Sequence, residues 1–115
     1  MNREIKFRAW SKATEKMSDW DFIHSVRNLH KLMTLNHVEL MQFTGLTDKK
    51  GKDIYEGDIV THLHSADTCV VVFQKSTAMF LAQEIGDEQM GFGIEDVTEV
   101  IGNIYENANL LQGVA

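Results

Sequence analysis

Between Arg3 and Trp10 the side chains alternate, with Ile5, Phe7 and Ala9 on one side and Lys6, Arg8 and Trp10 on the other. A period of two is that of a half-buried strand. It predicts one face in the core and a cationic-aromatic face turned outward. Ser11 to Lys16 is short and polar, and apolar character resumes from Met17 to Trp20, so a hairpin is expected to return beside the first strand. The period then changes. Phe22, Val26, Leu29, Leu32 and Met33 recur at spacings of three and four, which predicts a short helix near residues 22–35 with Asp21 or Ser25 as its N-cap.

The remainder reads as short strands separated by turns. Val38 to Phe43 is extended, and Thr44 to Asp53 is dense in turn formers, with Gly51 suited to a positive φ. Gly57 bends the next segment into a strand that begins at Asp58. Ser65 to Asp67 is predicted as a turn, and Thr68 to Phe73 is β-branched and apolar enough for a central strand. Gln74 to Thr77 turns and Ala78 to Gln83 returns. Residues 85–93 read as a loop, and 96–105 as a last strand with a bulge at Gly102. Residues 106–111 suggest one terminal helical turn. The fold class is therefore mainly β, a small, strongly bent antiparallel sheet or barrel with one short helical segment. Neither repeats nor a linker divide the 115 residues, so a single domain over 1–115 is expected.

Composition narrows the classes without naming a chemistry. The hydrophobic fraction of 43% and charged fraction of 24% suit a globular chain. One cysteine, Cys69, allows no internal disulfide. No apolar run approaches the roughly 18–20 residues that span a bilayer, and MNREIKF has no signal-like apolar stretch, so a soluble protein without a membrane partner is expected. The net charge of −6 conceals a polarity: residues 1–57 carry +2 and residues 58–115 carry −8, Lys75 being the sole cation of the second stretch. That acidic balance argues against a general nucleic-acid binder. The acidic half suits a basic protein surface or the basic N-terminal region of a second copy.

Candidate chemistry is sparse. His62 and His64 share a strand face, but no spacing around them is that of a zinc site, and exposed strand histidines are the simpler reading. A metal-dependent hydrolase built on these histidines and nearby acids is the weakest alternative. Cys69 heads an apolar strand and reads as a small hydrophobe. The run Gly86 to Gly93 has acids and no lysine, so it is not a phosphate loop. Tyr55, Glu56 and Asp58 at the Gly57 bend offer either a recognition corner or an ordinary turn. Lys6, Arg8 and Trp10 on one strand face offer a second contact surface, and they motivate the alternative of a small nucleic-acid-binding barrel. No catalytic, cofactor-binding or metal-binding residue is assigned.

Four blocks carry a kinship. Arg3 to Trp10, Leu40 to Asp48, Gly51 to Val60 and Val100 to Asn107 resemble, in order, the motif blocks of the YopX family of small bacteriophage and prophage proteins. The resemblance implies a mainly β fold, a phage or prophage origin and self-assembly; joined to the lack of a signal-like stretch, it sets the expected location as the cytoplasm of a bacterial host. It supplies no activity and no cofactor. It places turns at Gly45, Gly51, Gly57 and Gly102, and core at Ile5, Phe7, Phe43, Ile54, Ile59 and Ile101. Residues 18–37 and 62–97 fall outside the blocks, and partner specificity is expected to reside there. The leading expectation is a non-enzymatic, homo-oligomeric module that binds a phage or host protein.

Overall fold

A computed structural model describes residues 4–26, 31, 33–63, 65–86 and 91–111. The chain divides into two compact units between Phe43 and Thr44. In the first, β1 (Phe7–Ser11) pairs antiparallel with β2 (Lys16–Ser18) and with β3 (Val38–Thr47). The hairpin expected after β1 is therefore present. Its turn passes through Glu15, a non-glycine residue at φ 56°. A seven-residue helix, α1 (Trp20–Val26), follows. Its cap is Asp19, whose Oδ1 accepts from the Phe22 N–H at 2.9 Å; Asp21 and Ser25 lie inside the helix. Ser25 instead donates its hydroxyl to the Asp21 carbonyl at 2.7 Å. Positions 27–30 and 32 of the predicted helix lie outside the described residues.

Register assigns the two faces of this sheet. Ala9 pairs with Ser18 and Leu40, and Ser11 pairs with Lys16 and Val38, so these side chains share one face. Ile23 of α1 packs there beside Ala9, with Trp20, Leu35, Val38 and Leu40 around them. The opposite face holds Arg8 opposite Met41, and Trp10 opposite Met17 and Glu39. Ile5 precedes the strand and is 56% exposed, contrary to its expected core position. It lies outside the paired residues of β1.

In the second unit β3 continues beside β4 (Asp53–Tyr55), and β5 (Asp58–His62) begins where Gly57 predicts. A five-stranded antiparallel sheet follows, in the order β8-β7-β6-β5-β9, curled into half a barrel. Its strands are β6 (Ser65–Gln74), β7 (Met79–Glu84), β8 (Gly91–Gly93) and β9 (Val97–Asn103). The β6 strand is central, as its β-branched run requires. Ser65–Asp67 is not a turn, because His62 already pairs with Ser65 across a register shift after Thr61. The expected 85–93 loop also gives up its end, Gly91–Gly93, to pairing with β7. Ile54, Val60, Cys69, Val71, Ala82 and Val100 form the core on the inner face.

A second register shift explains a misplaced core residue. Ile59 pairs with Gly102, yet Val60 pairs with Val100, so Ile101 is the extra residue of a bulge and is turned out to 40% exposure. The expected inward position of Ile101 holds only in an unbroken ladder. Ile54 and Ile59 are fully buried and Phe43 is buried, as expected, whereas Phe7 is half-buried.

The loop between β3 and β4 runs along the outer edge of β9. Lys49 donates its N–H to the Thr98 carbonyl, and Val100 donates its N–H to Asp48 Oδ2 at 2.9 Å. Asp48 Oδ1 accepts from the N–H groups of Lys50 and Lys52, each at 2.9 Å. Burial alone would push this carboxyl up. The hydrogen bonds from Val100, Lys52 and Lys50, joined by the charge of Lys52, outweigh it and hold the pKa below the ordinary 3.8. The exposed Lys50 ammonium meets Glu99 at 2.9 Å, and that hydrogen bond raises the lysine pKa.

Asp48→Asn puts a donor among three backbone donors and is expected to cost ~1–3 kcal/mol in urea unfolding at neutral pH. The folded pKa is lowered, so the carboxylate's contribution is complete above about pH 4 and disappears as pH falls through the folded value. Stability of the parent should drop over that range, and the variant's curve should be flatter there.

Candidate functional site

The six residues expected at contact surfaces fall into two places. Lys6, Arg8 and Trp10 do share one face of the first unit, but that face is not open. Trp10 is only 9% exposed, and Met41 and Phe43 on the same side are buried. The Lys6 ammonium sits 4.6 Å from the centre of the Phe43 ring and 3.3 Å from Glu4. Arg8 Nε donates to Met41 Sδ at 3.4 Å. Alternation placed these three together correctly. Their outward presentation is corrected for Trp10, because Met41 and Phe43 make both faces of the strand apolar, and a buried indole offers no exposed anchor.

Tyr55, Glu56 and Asp58 form the corner at Gly57 in the second unit. Asp58 is 2% exposed, and its Oδ2 accepts from the Tyr55 N–H at 2.7 Å. Its carboxylate thus closes the turn. Gly57, at φ 87°, donates its N–H to the Val71 carbonyl and accepts at its own carbonyl from Ile104. The chain following β9 is fixed in the same manner. Asn103 Oδ1 accepts from the N–H groups of Tyr105 and Glu106, and Asn107 Oδ1 accepts from the Asn103 N–H. A Cβ on Gly102 would lie 2.6 Å from Asn107 Oδ1, so only glycine admits that approach. Tyr55 and Glu56 are half-buried at this corner.

Of the histidines weighed for metal, His62 is buried and stacks on Phe92 with ring centres 3.7 Å apart, while His64 lies outside the described residues. Among the described residues no three His, Cys, Asp or Glu side chains form a group able to hold a metal ion. Cys69 is fully buried in the core of the second unit and forms no disulfide.

One concave site went unnoticed in the sequence. A pocket of about 360 Å³ opens in the first unit over the Ser11, Lys16 and Val38 row of the sheet, beside Phe22 and Ile23 of α1. Its signal was faint: small residues, Ala9, Ser11 and Ser18, on the face that the helix covers.

The four motif blocks prove to be the parts that bind one another. The Leu40–Asp48 block supplies the carboxylate for Val100, and the Gly51–Val60 block supplies the carbonyl for Ile104. A model of the YopX protein family matches residues 6–112. The chain belongs to the YopX family. Protein EF1440 from Enterococcus faecalis has a similar solved structure, with a TM-score of 0.66 and 22% identity over 96% of this chain and 99% of that one. YopX from Bacillus subtilis is also similar, with a TM-score of 0.57 and 26% identity over 91% and 96% of the two chains. No curated protein matches the sequence. Family membership thus fixes the fold, and the shared motifs coincide with turns and strand ties. No helix among the described residues is long and apolar enough to cross a membrane.

Gly57→Ala is expected to cost ~1–2 kcal/mol, because an L-residue is strained in the left-handed region. For Gly102→Ala the expected signature is coupling. Combined with Asn107→Ala, which removes the two nearest atoms, Oδ1 and Cγ, the loss should fall short of the sum of the two single losses by about 0.5 kcal/mol or more in a double-mutant cycle.

Proposed function

We propose that this YopX-family chain is a phage- or prophage-encoded, non-enzymatic module that self-associates and binds a protein partner in the bacterial cytoplasm. One observation carries the reading. The inner apolar face of the curled sheet runs out to the surface instead of closing. Val71 and Ala82 are buried opposite each other, and the next pair on that face, Phe73 and Phe80, packs edge to face with ring centres 5.2 Å apart. Phe73 is 44% exposed and Phe80 half-buried against the core. An aromatic pair continuous with a core is the type of surface that anchors protein interfaces.

Other features favour the same end of the sheet. Gly57 contacts Val71, so the Tyr55–Asp58 corner lies at the Phe73 end of β6. The outer edge of β9 is already occupied by the Asp48 loop, so strand-to-strand addition there is poorly served. The opposed charges of residues 1–57 and 58–115 supply attraction between copies. The carboxylates at the corner support a binding role over catalysis: Asp58 is committed to the backbone of its own turn.

Sedimentation velocity at tens of micromolar protein should show species larger than a monomer, weakening as salt rises. Phe73→Ser should raise the dissociation constant by about tenfold or more. A strict monomer at low salt overturns self-association, and an unaltered dissociation constant overturns the assignment of this surface.

A further inference from the structure

The pocket of the first unit has a composition unlike the rest of the chain. Its floor is Ala9 and Ile23, both buried, with Leu35 and Val38 half-buried beside them. Its size follows from register. Ile23 packs beside Ala9 in the Ala9, Ser18 and Leu40 row, and the small Ser18 of that row and Ser11 of the next, with Lys16 and Val38, leave space unfilled. At about 360 Å³ it falls within the range of ordinary small-molecule sites, which combine apolar walls with a few placed polar groups.

Those polar groups share one electrostatic character. The exposed Lys16 and His37 line it together with the hydroxyls of Ser11, Thr14 and Ser18, and among the described residues no acidic side chain lines the pocket in a chain of net charge −6. Lys16 makes no ion pair among the described residues, in contrast to Lys12, which meets Glu39 at 2.8 Å. Ser11 Oγ accepts from the Thr14 N–H at 3.2 Å, which leaves its own O–H to donate. An ammonium and hydroxyl donors above an apolar floor match an anionic head on a short hydrocarbon body. Among the described residues the pocket carries one lysine and no arginine fork, which suits a single carboxylate better than a phosphate dianion.

We propose that this pocket is a binding site for a small monocarboxylate with a short apolar body. Lys16 and the Ser11 hydroxyl hold the carboxylate, and Ala9, Ile23 and Leu35 receive the hydrocarbon. The site lies wholly in the first unit and does not depend on the Phe73 surface.

Hexanoate is the probe, titrated into the full chain and followed by backbone amide shifts and by calorimetry, with hexanol as the uncharged control. Saturable binding is expected, with shifts concentrated at residues 9–18, 22–23 and 35–38. Hexanol should bind weaker by about tenfold or more, and Lys16→Glu should lose at least as much affinity for hexanoate. Ser18→Val, which fills space on a strand position tolerant of β-branching, should lower affinity for both probes while leaving the thermal midpoint of the unliganded protein unchanged. No saturable shift at those amides, equal affinity for hexanoate and hexanol, or unchanged hexanoate binding by Lys16→Glu would each overturn the proposal. Phosphate binding at the same amides with greater affinity than hexanoate would overturn the assignment of ligand class.

Discussion

The second unit is arranged around a buried carboxylate that must be satisfied. Asp48 accepts three backbone N–H groups, two from its own loop and one from Val100, 52 positions further along the chain. A buried charge without such partners is strongly unfavourable, so the loop holds its shape only while β9 is in place. The consequence is also topological. The end strand of an open sheet exposes a row of unpaired backbone groups, and here the Asp48 loop occupies that row through Val100 and Thr98. The ion pairs of Lys49 and Lys50 with Glu99 lie outside this network, partly in solvent, and add little by comparison.

With the β9 edge covered by the Asp48 loop, the half-barrel leaves apolar surface exposed at the Phe73 end of its inner face. The aromatic pair at the end of that face and the pocket of the first unit differ in kind. Phe73 and Phe80 extend a core outward, as a surface does that is to be covered by another apolar surface. The pocket is walled by small side chains and rimmed by a cation, as suits a small ligand.

The contact residues show where residue-by-residue reading succeeds and where it stops. Alternation put Lys6, Arg8 and Trp10 on one face because strand periodicity is local. Whether that face meets solvent depends on the residues across the ladder, Met41 and Phe43, which lie more than thirty positions away. The Tyr55–Asp58 corner was legible as a turn from Gly57, yet the commitment of Asp58 to the Tyr55 N–H was not. The pocket escaped notice because it is made by absent volume at Ala9, Ser11 and Ser18, and small residues leave no chemical signature.

By itself the sequence determined most of the strands, though not the Ser65–Asp67 and Gly91–Gly93 segments, together with the bends at Gly51 and Gly57, the central place of Thr68 to Phe73, and the family to which the chain belongs. Each of these rests on local periodicity, backbone preference or a motif read along the chain. The tertiary structure decided register and therefore exposure. It turned Ile101 out through a bulge, left Ile5 beyond the ladder, buried Trp10 and bound Asp48 to β9. Those outcomes depend on which distant residue stands opposite, and a shift of one position in pairing exchanges core for surface.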